Sequence, residues 1–345
     1  MKAIRRQSRI PKDSRVEEIT RPGLGPHEVL LKTSHCGVCG SDLHAWLNHP
    51  GYESIPEQFT YGHEFSGEVV ETGPAVRDWK TGDRAVAISV QGCQKEGCRY
   101  CGSGYQQLCG ARQIIGIHLD GGMAEYTVVR EPYLVPVEDG TDLMAASLTE
   151  PLSVAEHCVT DCSDVEEGEL VLVTGPGIIG LLSAIVARLK GAKVVVAGLD
   201  SDNKLRLPAA EAIGFDTIIT GNGRAGIAEQ AKERYGQYFD RQIEASGSGE
   251  ALAAGLEAVR PLGSATVVGL FPELVHLNMT NLVRNQITIH TSYVSDLVNY
   301  ERALGIIARG EVPVEELVHT YPLEDGLQAF ADAEEKAVIK PVLIC

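Results

Sequence analysis

Two short segments of this 345-residue chain concentrate side chains that bind metal ions. Cys39-Gly40-Ser41-Asp42-Leu43-His44 offers a thiolate, and Gly62-His63-Glu64-Phe65-Ser66-Gly67 offers an imidazole and a carboxylate. A further carboxylate, Glu150, stands in Thr149-Glu150-Pro151-Leu152-Ser153-Val154-Ala155. A catalytic zinc takes three protein ligands of nitrogen, sulfur or carboxylate type and keeps a fourth position open. Cys39 and His63 supply two of them. Glu64, Glu150, or each in turn supplies the third, and the sequence leaves that open. Cys36 forms a CxxC with Cys39 and competes with it as a ligand, or packs as a small hydrophobe. Ser41 and Asp42 also suit the start of a helix, where short polar side chains cap free N–H groups.

The chain holds nine cysteines. Nothing at Met1-Lys2-Ala3-Ile4-Arg5-Arg6 reads as a signal peptide, so a cytoplasmic protein with reduced thiols is expected. Four of the nine, Cys93, Cys98, Cys101 and Cys109, fall in one short segment. Four thiolates so close suggest a closed, tetrahedral structural zinc site. The competing readings are a lobe that has lost its metal, or one in which water or Glu96 replaces Cys93.

A second constellation begins at Leu170-Val171-Leu172-Val173-Thr174, which runs into Gly175-Pro176-Gly177-Ile178-Ile179-Gly180. A lone GxGxxG says little; between a strand and a helix it marks a dinucleotide site. Gly175 permits the tight turn, Gly177 lets backbone approach a pyrophosphate, and Gly180 lets helix and strand pack closely. The helix start at Ile178 and Ile179 presents free N–H groups and a positive dipole end. An acid that binds the adenosine ribose is expected at the end of the next strand. Gly198 stands there, with Asp200 two positions on. Acids at 200 and 202 would repel the extra phosphate of NADP, and Lys204 and Arg206 lie further along. The reading is therefore NAD, with NADP possible.

These residues need a scaffold, and the sequence outlines one. The first 150 or so residues hold short strand-like runs at 28–33, 67–71 and 82–88, punctuated by Gly and Pro. From about 152 apolar strands alternate with helical patterns: strands at 170–174, 193–197, 217–220, 241–244 and 264–270, helices at 177–190, 204–213, 224–235 and 249–260. That alternation implies βαβ units and a parallel sheet. The tail from about 287 returns to mixed elements and ends in a strand-like Val338 to Ile344. The expected division is one domain from 1–152 plus 287–345 and another at 153–286. The stretch from Val171 to Ala187 is apolar, but its glycines and length suit a buried strand and helix better than a membrane span. Acidic residues exceed basic ones by 47 to 30, a net charge of −17. Nucleic acid and anionic membrane are poor partners for such a surface.

The segment from Gly62 to Gly67, continued by Gly73 and Val76, resembles the signature of zinc-containing medium-chain alcohol dehydrogenases. The segment around Cys39 resembles that family's catalytic-cysteine motif, in which the ligand is the cysteine just before Gly-Ser-Asp. With the nucleotide fingerprint the resemblance spans nearly the whole chain. It implies an α/β fold: a β-rich GroES-like catalytic domain plus a doubly wound Rossmann domain. It implies that Ser41 accepts the substrate proton, that His44 passes it towards solvent, and that Asp42 orients His63. It puts a cation near the pyrophosphate at Lys340, which otherwise reads as a surface lysine. The Cys98–Cys109 spacing resembles the family's structural-zinc lobe, with four residues instead of two after Cys93. The Glu150 segment resembles the polyol and threonine branch.

The expected activity is hydride transfer from a secondary alcohol of a polyol or sugar alcohol to NAD(P), giving a ketone. Threonine and aldose dehydrogenases of the same family are alternatives. A zinc-free quinone or enone reductase would lack the ligands, and a nucleotide-binding sensor would lack Ser41 and His44. A homodimer or homotetramer is expected by analogy. Substrate contacts are expected from loops such as His44 to Glu57 and the region around Tyr293.

Overall fold

A computed structural model of the chain describes every residue except Glu53, Ser54 and Asn222. Within the His44-to-Glu57 loop, Glu53 and Ser54 therefore lie outside the described residues. The chain divides into two compact units: residues 1–150 with 296–345, and residues 151–295.

The second unit is built on six parallel strands. Across the sheet they run Asp216–Thr220, Lys193–Leu199, Leu170–Thr174, Phe239–Glu244, Val259–Val267 and Thr288–Thr291. In chain order that is 3-2-1-4-5-6, so the direction of winding reverses beside Leu170–Thr174, the strand that leads into the glycine turn. All five residues of that strand are buried. Crossover helices cover such a sheet, so its inner strands read as unbroken apolar runs and not as alternation.

Residues 287–295 sit here and not with the flanking domain, because Ser264–Val267 pairs in parallel with Thr288–Thr291. Thr288-Ile289-His290-Thr291 is an edge strand, largely exposed, so it carries no apolar run that would reveal it. The helix expected from 204 starts later, at Arg206–Ala212, after a 3-10 turn over Asp200–Lys204. Asp202 holds that turn by accepting the Leu199 N–H at 2.9 Å. The glycine turn shows why small residues stand there. Gly175 has φ +98°, a region open mainly to glycine. A Cβ on Gly180 would lie 1.9 Å from the Gly175 carbonyl oxygen.

The first unit centres on the Glu28–Gly37 strand of a seven-stranded sheet. Its first half pairs with Tyr126–Arg130 and its last residues pair with Lys340–Ile344, while Glu64–Thr72 runs antiparallel along its length. Register irregularities at Leu30/Leu31 and Thr33/His35 bend the strand enough for the change of neighbour. Helix Gly40–Trp46 follows directly, and Trp46 packs edge-on against Phe330, ring centres 5.4 Å apart. Among the described residues no helix is long and apolar enough to cross a membrane.

Gly180→Ala drives a methyl group into the Gly175 carbonyl, so strand and helix must separate. We expect a loss of roughly 1–3 kcal/mol in chemical denaturation. An unchanged midpoint would mean that the close approach is not maintained in solution.

Candidate metal centres and nucleotide turn

In the first unit, Cys39, His63 and Glu64 each present one ligand atom, all within 4.8 Å of one another. Cys39 is the residue before helix Gly40–Trp46, and its N–H donates to Asp42 Oδ2 at 2.9 Å. Asp42 therefore fixes the turn that presents the thiol. Its other oxygen lies 3.6 Å from His63 Nδ1, and neither atom has a hydrogen-bond partner. The ring thus turns Nδ1 to a buried carboxylate and leaves Nε2 for the cluster, 3.4 Å from Ser41 Oγ. Burial opposes charge on His63, but Asp42 and the Cys39 sulfur outweigh it and hold its pKa well above the ordinary value. Such surroundings favour a positive charge at the ring, and a divalent cation between these donors would supply it. The donor set fits zinc.

Glu150 stands apart from the group of three. Its Oε1 accepts from Ser89 Oγ at 2.9 Å, and the Ser89 N–H donates to Tyr300 Oη at 3.1 Å. Burial pushes its carboxyl up, and the charge of His63 partly opposes this. The two carboxylates therefore differ in place: Glu64 lies among the ligand atoms, and Glu150 lies within electrostatic reach of His63.

Lys340 occupies a position that the sequence did not disclose. It is 1% exposed, so it is not a surface lysine. Its Nζ donates to the Val38 carbonyl at 2.9 Å and pairs closely with Glu64 Oε2. Strand pairing is the cause. Gly37 lies opposite Glu64 on one side and opposite Val342 on the other, which brings Lys340 against the metal cluster. Gly37 makes the room, since a Cβ there would lie 2.3 Å from Glu64 Oε2 and 2.8 Å from Lys340 Cε.

His44, on the helix begun by Cys39, stands 2.8 Å from His49, Nδ1 to Nδ1, and stacks on Tyr52 at 5.5 Å. Burial and the neighbouring His49 lower its pKa. His49 and Tyr52 were not singled out from the sequence; isolated ring residues in a loop carry no spacing signal.

The four thiols of Cys93, Cys98, Cys101 and Cys109 also come within 4.8 Å of one another. Cys93 and Cys101 are 3.9 Å apart, as are Cys98 and Cys109. A zinc–sulfur bond of ~2.3 Å gives a tetrahedron with edges of ~3.8 Å, so these thiols fit a closed zinc site. The long spacing after Cys93 is taken up by an exposed turn in which Cys98 N–H reaches the Lys95 carbonyl and Gly97 has φ +78°.

In the second unit, Gly177 precedes helix Ile178–Leu189, and a Cβ there would meet nothing within 4 Å. That open space lies over the helix start, where a pyrophosphate fits. Gly198 is closed in: a Cβ would sit 2.9 Å from Pro176 Cγ and 3.2 Å from Asp202 Cβ. A side chain at position 198 would therefore have to displace these neighbours. Asp200 is held by Arg224, whose guanidinium reaches Asp200 Oδ1 at 2.6 Å. Arg224 comes from 24 residues downstream, after the neighbouring strand, so the residues next to Asp200 in the sequence do not reveal it. Glu244, at the end of its strand, accepts the N–H groups of Ser246 at 2.7 Å and Gly247 at 3.1 Å, beside the glycine turn.

Lys340→Met leaves Glu64 buried without its cation, and we expect it to cost about 3–5 kcal/mol in urea denaturation of the metal-free protein. The double variant Lys340→Met, Glu64→Gln should recover most of that loss. Additive losses would show that the two groups are not coupled.

Residues 25–139 match the alcohol dehydrogenase GroES-like domain, and residues 179–309 match the zinc-binding dehydrogenase domain. The chain is 34% identical to a sorbitol dehydrogenase of Halalkalibacterium halodurans, over 95% of this chain and 94% of that one. It is 30% identical to a D-arabitol-phosphate dehydrogenase of Enterococcus avium, over 94% and 92%. A crystal structure of a putative zinc-binding dehydrogenase from Sinorhizobium meliloti, bound to NADP, superposes with a TM-score of 0.90 at 28% identity, covering 100% of this chain and 99% of that one. Ligand cluster, glycine turn and full-length likeness together place the chain in the family of zinc-binding, medium-chain alcohol dehydrogenases.

Proposed function

We propose that the protein oxidises a secondary hydroxyl of a polyol or sugar alcohol to a ketone, with NAD as the hydride acceptor. The observation that carries this reading is the convergence of Cys39, His63 and Glu64 on one point. Two of its relatives, named for sorbitol and D-arabitol phosphate, support the substrate class. Zinc would lower the pKa of a substrate hydroxyl, and the nicotinamide would take the hydride.

The chain's own residues do the rest. Cys39 and His63 hold the metal, with Glu64 and Glu150 as the carboxylates that bind it together or in turn. Asp42 fixes the His63 ring and Lys340 balances Glu64. Ser41, 3.4 Å from His63 Nε2, is placed to receive the hydroxyl proton. His44 passes it on, and its contact with His49 extends the path outward. Gly175, Gly177, Ile178, Ile179 and Gly180 take the pyrophosphate, and Gly198 and Asp200 border the ribose. The four-cysteine lobe holds a second, structural zinc. The protein works in the cytoplasm, where its free thiols stay reduced, as a dimer or tetramer.

Purified protein should reduce NAD with sorbitol, xylitol or galactitol more readily than with threonine, glucose or simple alcohols. Cys39→Ser should abolish turnover and remove about one zinc per chain by metal analysis. Turnover on threonine alone would transfer the reading to that branch, and full zinc content in Cys39→Ser would remove Cys39 from the ligands. For the cofactor, Asp200→Ala frees the Arg224 guanidinium. It should raise the kcat/KM ratio of NADP to NAD by about tenfold or more. An unchanged ratio would place the ribose elsewhere.

A further inference from the structure

Residues His157–Cys162 form one π-helical turn behind helix Thr149–Glu156 in the second unit. Such wide turns are rare and gather at functional positions. This one lines up a thiol, an imidazole and a carboxylate. His157 Nε2 is 3.5 Å from Cys162 Sγ, and His157 Nδ1 is 3.0 Å from Asp161 Oδ2. In an α-helix, residues five apart diverge by about 140° around the axis, so Cys162 would miss the ring. The wider turn brings it onto the face that carries His157. Asp161 grips the far nitrogen, as an orienting carboxylate does for a histidine base. Cys162 is partly exposed and, with Asp161, Ser163, Asp164, Arg241 and His290, lines an open recess of about 440 Å³. None of these residues serves the metal or nucleotide sites described above.

We propose that Cys162 is an oxidation site for small hydroperoxides, with His157 as its proton acceptor and Asp161 holding the ring. His157 takes the thiol proton, and the thiolate sulfur attacks one peroxide oxygen. A sulfur–oxygen bond forms as the oxygen–oxygen bond breaks. Sulfur is oxidised to sulfenic acid, the peroxide is reduced, and the departing hydroxide takes the proton from His157 as water. With hydrogen peroxide the sum is thiol plus peroxide to sulfenic acid plus water.

The surroundings agree with this assignment. The hydrogen bond to Cys162 and, against burial, the one to Asp161 raise the His157 pKa to about 9. Arg241 is spent on Glu169 at 2.6 Å and on the Ser163 carbonyl, so it leaves the imidazole as the cation beside the sulfur. Asp164 and His290 face the same recess. Cys158, on the same turn, is fully buried, and burial pushes its thiol up, so it serves as an unreactive internal control.

The test uses the zinc-loaded, full-length protein and reads each cysteine by peptide mass spectrometry. At about pH 6.5, Cys162 should react with iodoacetamide about tenfold faster than in His157→Gln, with Asp161→Asn in between. Brief hydrogen peroxide followed by dimedone should label the Cys162 peptide, and the label should fall in both variants. Asp161 is exposed, so Asp161→Asn decides the matter alone if His157→Gln fails to fold. Equal Cys162 rates in wild type and variants, or dimedone on other cysteines with Cys162 bare, would overturn the assignment.

Discussion

The first unit is organised around one buried ion pair. Lys340 and Glu64 are each 1% exposed, and a charge so placed is costly unless its partner is fixed beside it. Three strands do the fixing. Glu28–Gly37 lies in the middle, Glu64–Thr72 on one flank and Lys340–Ile344 on the other. The pair crosses above Gly37, the one position in the row without a side chain. Slipping either outer strand by one residue would turn its charged group to the other face of the sheet. The register of the sheet and the shape of the metal cluster are therefore one constraint.

The same pair shapes the chemistry of the cluster. A carboxylate among metal-binding atoms adds negative charge, and a neighbouring ammonium takes part of it back. Asp42 works in the opposite sense at His63, where it raises the cost of losing a positive charge. The two anions and the cation set the field in which the thiol of Cys39 sits. Glu150, tied through Ser89 to Tyr300, adds its charge to that field through His63.

Much of this was legible in the sequence, for reasons tied to particular residues. Apolar runs such as Leu170–Thr174 announce buried parallel strands, and Gly175, Gly177 and Gly180 sit where backbone must turn or approach. Cys39 and His63 stand out because thiols and imidazoles are scarce and their neighbours are patterned. What stayed hidden depended on pairing across long distances. Lys340 looked like a surface cation because no local pattern reveals which strand will lie beside it. Arg224 was invisible for the same reason. Thr288–Thr291 lacked the apolar signature of its sheet because it lies at the edge. The His157–Cys162 turn escaped notice because its geometry departs from the α-helical period on which sequence reading relies.

The separation between the partners of the ion pair has a consequence for how the protein is made. Lys340 and Glu64 are 276 residues apart, and Lys340 lies in the final strand. During synthesis the thiol, the imidazole and the carboxylate leave the ribosome long before the ammonium that completes their surroundings. On the nascent chain, Glu64 has no counter-charge, and the groove beside Gly37 stands open to water. The cluster reaches its finished electrostatic state only when the Lys340–Ile344 strand closes the sheet. The four cysteines from Cys93 to Cys109 need no such late arrival, because 17 consecutive residues contain the whole set. The two centres thus mature in a fixed sequence, the lobe first and the Cys39 centre when the Lys340 strand has joined its sheet.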